Sequence, residues 1–334
     1  MLPPQSLYDI APSDLPNERQ NRFDGSGFSA DLNSFAPADR DRLAQVYATV
    51  DRVGRTPLDA GADVLAGGLR GIDTAALIRD ASALGSDTPV QVTGDPRVRR
   101  LLHDIRGGGL QVLVGGAELI RYDPNATAFA RNAVLAARDH AKIMRAGFPA
   151  LDPENYACDE LTKAHAVESL VATWDGLNVL QNGRTVRVTV DCSYHGAITG
   201  RCLETAAVER IMCNYVNNAV RFVADGHVSI WVFQVGPGLV RWAVHNTVSE
   251  YDLTWLTQKT GGDLRQLFRG GTTHGGNGIG LSACAEIVGE CFGLDAERAL
   301  RSGYLGAHAD PGGYTAWFHW PVYSGSGDLC VCHD

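Results

Sequence analysis

Leu102, Ile105, Gly109, Val112, Gly116 and Leu119 follow one another at spacings of 3, 4, 3, 4 and 3 residues. That is a heptad-like seam, and a seam of this kind is buried by laying another helix along it. A second helix is at hand. Residues 124 to 146 are rich in alanine and place Phe129, Ala133, Ala137, Ala141 and Met144 along one side. Asp123 and Pro124 read as its cap and first-turn proline, and Gly147 and Pro149 as its stops. Two helices joined by a tight turn make a helical hairpin, and one with an apolar seam is expected to dimerise into a four-helix bundle. The first helix, from about Asp95 to Arg121, also carries Gly107, Gly108, Gly109, Gly115 and Gly116. Each costs about 1 kcal/mol against alanine in a helix interior, so a bend soon after His103 is expected.

His103 lies one position off this seam and should be partly exposed, with Asp104 directly after it. Neutral imidazole is nucleophilic near neutral pH, and an adjacent carboxylate can orient it and take its proton. Such a pair also describes an ordinary solvated helix face. What gives it weight is a nucleotide site further along the chain. His140, preceded by Asp139, is an alternative acceptor, but it lacks the flanking basic residues.

The 334 residues, 45% of them hydrophobic, suffice for two or three domains. A net charge of -9 argues against a nucleic-acid binder, which needs a basic face. Eight cysteines in a chain of this size are not a disulfide framework, and Cys213 and Cys284 fall in helical patterns as small buried thiols. No basic segment followed by an apolar core is read at the start, and no apolar run approaches the roughly 18 residues of a membrane helix. A soluble, cytoplasmic protein is expected.

Residues 1 to 35 read as poorly structured or as an arm packed on something else. A helix begins at Pro37, another near Thr74, and Pro89 to Thr93 reads as a short strand. Beyond Pro153 the character changes. Residues 184 to 191 alternate like a half-buried strand, a helix spans 203 to 222, and strands over 227 to 234 and 239 to 245 form a hairpin. Residues 247 to 277 are loop-rich, a helix covers 279 to 292, and a last strand begins at Gly313. Strands and helices do not alternate as regular βαβ units, which favours an α+β layer.

On the 203–222 helix, Val208, Met212, Tyr215, Ala219 and Phe222 form an apolar face, and Arg210, Asn214, Asn217, Asn218 and Arg221 a polar stripe. Asparagine carbonyls are hard neutral ligands for Mg²⁺, and an arginine pairs with phosphate. The glycine-rich stretch from Gly270 to Ser282 opens the next helix, where backbone N–H groups can receive a polyphosphate. It is neither a Walker loop nor a Rossmann fingerprint. Cys330, Cys332 and His333 could hold a soft metal, though a disordered tail is the simpler reading.

Taken together these residues resemble the sensor histidine kinases. His103, Asp104, Ile105 and Arg106 with Leu110 resemble the phosphoacceptor box. Asn214 to Phe222 resembles the N box. Gly275 to Leu281 resembles the second glycine box, with Phe268 as the F-box aromatic. The resemblance covers residues 96 to about 325. It implies an α+β protein: a helical-hairpin dimerisation domain at 96–150, a four-helix bundle in the dimer, then a Bergerat-type (GHKL) α/β sandwich binding ATP at 151–326. Residues 1–95 are of unassigned role, and 327–334 form a tail. Carried over, it implies that His103 accepts the γ-phosphoryl group of ATP with Asp104 as general base. It places Mg²⁺ on Asn218 with Asn214 assisting, and Arg221 near phosphate. Gly276, Gly278, Gly280 and Leu281 line the triphosphate, with Thr272, Thr273 and His274 in a mobile lid. The implied partners are a second copy of the chain and a response-regulator receiver domain. One box departs: Asn246 stands where the family has an adenine-binding aspartate, and both glycines are missing from residues 246 to 250. An amide oxygen still accepts a hydrogen bond, though more weakly than a carboxylate. The alternative is a phosphotransfer or docking protein with a degenerate ATP site, or a GHKL-type ATPase or regulator in which His103 is incidental.

Overall fold

The computed structural model describes residues 4–16, 29–123, 127–159, 162–181, 183–271, 278–323 and 329–330. They fall into two units, one holding residues 24–162 with 201–210, the other residues 1–23, 163–200 and 211–330. A short helix α1 (Gln5–Asp9) belongs to the second unit.

The helical unit contains α2 (Pro37–Gly54), α3 (Ala62–Arg70), α4 (Thr74–Ala83), α5 (Val90–Thr93), α6 (Pro96–Arg106), α7 (Gly109–Tyr122), α8 (Thr127–Gly147) and α9 (Pro153–Asp159). One apolar core runs through it from Phe35 to Phe148, taking in Leu43, Val50, Leu69, Leu77, Leu101, Ile105, Leu113, Ile120, Val134 and Met144. Residues 35–84 therefore share a core with the hairpin helices.

The predicted first hairpin helix is broken in two. Gly107 ends α6, and Gly108, at φ +51° and ψ -120°, turns the chain into α7. Only glycine takes that backbone conformation without steric cost. The seam survives the break and is buried within the chain itself: Leu102, Ile105, Gly109, Val112 and Gly116 are all buried. Gly116 sets the distance between α7 and α8, since a Cβ there would lie 2.6 Å from the Cβ of Ala133. Gly116→Val is therefore expected to destabilise the unit by about 3 kcal/mol through overpacking. A thermal melt of the purified variant checks this, and an unchanged midpoint would show that the two helices can part freely.

Three local expectations are corrected. Pro89 to Thr93 is the helical turn α5, because its hydrogen bonds close locally, Gly94 N–H donating to Val90 O at 2.7 Å, and the β-branched propensity is overridden. Asp123 is the C-cap of α7, and Pro124 lies outside the described residues. The loop-rich stretch after 247 holds a helix of its own, described below.

After α1, the second unit continues with β1 (Thr162–Ala166) and α10 (Val167–Val171), then β2 (Asn178–Gln181), β3 (Arg184–Cys192) and β4 (Ala197–Arg201). The long helix α11 (Cys202–Phe222) follows, and the division between the units falls within it after Arg210. Next come β5 (His227–Val235), β6 (Leu239–Asn246), α12 (Glu250–Thr260), α13 (Gly280–Cys291), α14 (Ala296–Ser302), β7 (Leu305–Asp310), β8 (Gly313–Pro321) and β9 (Leu329–Cys330). Ser249 caps α12, its hydroxyl accepting from Asp252 N–H, which accounts for a helix where none was expected.

Six strands form one mixed sheet in the order β2-β3-β5-β6-β8-β7, with β3 and β5 parallel and the other pairs antiparallel. The register puts Val188, Val228, Ile230, Trp242, Val244, Ala316 and Phe318 on one face, all buried. α11 lies over this face. Tyr215 meets Phe318 edge-on at 5.8 Å and donates its hydroxyl to Trp317 O at 3.1 Å.

The other face carries Phe233, Arg241 and His319, cross-strand neighbours that are almost wholly buried. What covers them is the N-terminal arm. Arg241 donates to the carbonyls of Leu7, Tyr8, Ala11 and Pro12, and its Nε–H to His319 Nε2. All five N–H groups of the guanidinium are thereby used. Tyr8 packs on Phe233 with ring centroids 4.7 Å apart, and Tyr304 donates to Pro16 O. No helix among the described residues is long and apolar enough to cross a membrane.

Candidate functional site

Asp95 caps α6 by accepting from Arg97 N–H and Val98 N–H, and Pro96 supplies the first turn. The last turn then carries His103 with its side chain 28% exposed. Its Nδ1 lies 3.2 Å from Oδ1 of Asp104. Asp104 is itself 8% exposed, and its other oxygen, Oδ2, accepts from both Nε and a terminal nitrogen of Arg210, each at 2.7 Å. Burial raises the carboxyl pKa, but the Arg210 charge and the His103 hydrogen bond outweigh it, and the pKa lies below its ordinary value. A carboxylate held anionic in this way accepts a hydrogen bond from Nδ1–H, which leaves the Nε2 lone pair as the nucleophile. Arg106 turns aside and donates to Leu84 O.

His140 is fully buried on α8, and burial pushes its pKa down to about 4. It is closed off from any phosphoryl donor, which removes it as an alternative acceptor.

In the second unit, Asn246 ends β6 on the helix-facing side of the sheet, in phase with Trp242 and Val244 and paired with Tyr314 of β8. It is 1% exposed. Its Nδ2 donates to Thr247 O at 3.0 Å, while Oδ1 is buried with no hydrogen-bond partner among the described residues. A buried acceptor left unpaired costs about 1–3 kcal/mol, so a donor-bearing ligand has much to gain there. Nearby, Tyr314 and Tyr215 have raised pKa values, from burial first and the neighbouring Cys284 of α13 second.

Asn214 and Asn218 stand one turn apart on α11, both half-buried. Two hard amide oxygens on one stripe are a donor set that suits Mg²⁺. Arg221 is exposed, its guanidinium 5.3 Å from the Phe222 ring centroid. Phe268 is buried edge-on against Tyr215 at 6.4 Å. The two stems of the glycine-rich loop meet: a Cβ on Gly278, whose φ is +64°, would stand 3.1 Å from Gly271 N. Gly280 and Leu281 then open α13, and the first turn of a helix leaves N–H groups without intrahelical partners. Thr272, Thr273, His274 and Gly276 lie outside the described residues, as do Cys332 and His333. Among the described residues no group of three His, Cys, Asp or Glu side chains forms a metal site.

Two site features go beyond the sequence reading. Arg210, grouped with the polar stripe of α11, is committed to Asp104 instead. The spacing of four between Arg210 and Asn214 was visible, but nothing in it marks a partner 106 residues away. The Arg241 cluster left no sequence signal beyond an arginine inside an otherwise apolar strand.

No protein-family model matches the chain, and no curated protein matches it by sequence. Among solved structures it is similar to the mycobacterial sensor histidine kinase MprB at 17% identity and a TM-score of 0.29, covering 41% of this chain and 82% of that one. The catalytic domain of the histidine kinase ThkA gives 17% and 0.30, over 41% and 80%. Full-length ShkA, solved with AMPPNP, gives 18% and 0.36 over 72% of this chain and 48% of that one.

Proposed function

We propose that this chain is an ATP-dependent histidine protein kinase that phosphorylates itself on His103 and passes the phosphoryl group to an aspartate of a response-regulator receiver domain. The observation that carries this is the His103–Asp104–Arg210 array: a partly exposed imidazole whose Nδ1 is tied to a buried, arginine-anchored carboxylate. Nε2 attacks the γ-phosphorus. The Nε2–P bond forms as the bond to the bridging oxygen breaks, and ADP leaves with that electron pair. As the ring gains the phosphoryl group and becomes cationic, its Nδ1 proton passes to Asp104, the general base. Little covalent help is needed beyond the imidazole, and positioning with charge neutralisation supplies the rest.

Asn246 supports ATP as the donor, because the adenine amino group can donate to the orphaned Oδ1. Asn218, with Asn214 assisting, would hold magnesium, which would neutralise phosphate charge. Arg221, Thr272, Thr273, Gly276, Gly278, Gly280 and Leu281 are assigned to the phosphates. Residues 96–150 serve as the phosphoacceptor hairpin and 151–326 as the ATP-binding domain; a homodimer in the cytoplasm is implied by the resemblance and not by the seam, which the chain buries itself.

A second reading, phosphotransfer without ATP, is favoured by one feature: the chain after Asn246 passes straight into α12 at Glu250, with no glycine turn. Asn246→Leu separates the two readings. It removes the orphaned acceptor together with the Nδ2–H bond to Thr247 O, a carbonyl that still accepts from Ala224 N–H, so the melting point without nucleotide changes little. If Asn246 reads adenine, the variant loses the Mg-ATP-induced rise in melting point, equivalent to at least a hundredfold weaker binding. An ATP-induced shift as large as in the unaltered protein would refute the adenine assignment, and no shift in either protein favours phosphotransfer.

A further inference from the structure

The carboxylate beside His103 is divided between two partners. Oδ1 faces the imidazole, and Oδ2 takes two N–H groups of Arg210, a residue only 5% exposed. Arg210 belongs to residues 201–210 of α11, the stretch grouped with the helical unit. The same stretch is bolted to α8 by a second buried pair, Lys142 donating to Glu209 at 2.7 Å and to Thr205 at 3.2 Å. Along α11, Arg210, Asn214 and Asn218 stand four apart, on one stripe.

We propose that Arg210 is a positioning residue for phosphoryl acceptance, acting through Asp104 to fix which ring nitrogen of His103 carries the proton. This rests on His103 being the phosphoacceptor. With Arg210 in place, Asp104 stays anionic, its Oδ1 accepts from Nδ1–H, and Nε2 keeps its lone pair. Without Arg210 the carboxyl is a buried acid lacking its main counter-charge, and burial then favours the protonated form. A protonated Asp104 donates to Nδ1, the ring proton moves to Nε2, and the exposed nitrogen is no longer a nucleophile. The charged and titratable groups facing Asp104 are His103 on its own helix, Arg210 on α11 and His140 on α8. Burial keeps His140 neutral above about pH 4, so it adds no charge in the working range.

The test uses the full chain and phosphoramidate, a phosphodonor that requires no nucleotide site, across pH 5.5 to 9. The readout is the acid-labile phosphate lost on His103→Gln. Arg210→Met is expected to accept phosphate about tenfold more slowly near pH 6.5 and to recover toward pH 9, moving the acid limb up by about one unit. Arg210→Lys, which keeps a cationic donor on Oδ2, should restore the unaltered profile. Arg210→Gln replaces the methionine variant if that variant does not melt cooperatively. A neutral variant that melts cooperatively and follows the unaltered profile overturns the proposal, as does a defect equal at every pH. Labelling that is unchanged by His103→Gln would instead overturn the phosphoacceptor reading on which the proposal rests.

Discussion

Arg241→Met is expected to destabilise the second unit by about 2–4 kcal/mol and to free its N-terminal arm. The five N–H groups of Arg241 meet five acceptors: four carbonyls of the arm and Nε2 of His319. No carboxylate takes part, and burial pulls the guanidinium pKa down to about 10. Methionine fills a similar volume but leaves all five acceptors unpaired. The loss is capped by the free energy of docking the arm, because the arm can let go and return its carbonyls to water. The effect is therefore read in two ways, as a melting point lower by several degrees and as faster proteolysis within residues 4–16. Arg241→Lys, with three donors, should fall between. An unchanged melting point in the methionine variant would show that the arm docks through Tyr8 and Tyr304 alone.

The same cluster sets an acid sensitivity. His319 accepts from Arg241 through Nε2 and faces Tyr304 O through Nδ1, which requires the neutral ring. Burial first, then the Arg241 charge, lowers its pKa to about 3. The unfolded chain thus binds the extra proton first, below an ordinary histidine pKa of about 6.5. Stability from this group is present above that value and is lost as pH falls toward 3. His140, lowered to about 4, acts in the same direction in the helical unit.

His103→Gln is expected to abolish phosphoryl acceptance outright, from Mg-ATP and from phosphoramidate alike. Glutamine keeps a polar side chain at a position that is already 28% exposed, so the fold should hold within about 0.5 kcal/mol. It has no nucleophilic nitrogen. The nucleotide-induced rise in melting point should survive, because Asn246 and the stripe on α11 are untouched. Loss of both labelling and the nucleotide shift would mean that the substitution acts through the fold.

The sequence made the long periodic elements plain. Helices near 37–50, 203–222 and 279–292 and strands near 184–191, 227–234 and 239–245 carry their own hydrophobic period, and the observed ones lie within a few residues. Residues 89–93 and 247–260 were misread because their outcome rests on local closure and capping, Gly94 onto Val90 and Ser249 onto Asp252, which outweigh composition. The seam through Leu102 and Val112 was visible, but not that α8 and residues 35–84 would bury it inside one chain. For the candidate site, His103 and the α11 stripe stood out by residue type and spacing, and Asn246 entered through the resemblance. The Asp104–Arg210 pair was not, because a contact across 106 residues leaves no trace in spacing.

The central claim is transfer of the γ-phosphoryl group of ATP to a histidine. The most direct measurement is incubation of the purified protein with Mg²⁺ and γ-labelled ATP, followed by acid and by base. A phosphoprotein stable in base, labile in acid and absent from His103→Gln is the predicted result. No label, together with no ATP-induced rise in melting point, would contradict it and leave a phosphotransfer protein without a working nucleotide site.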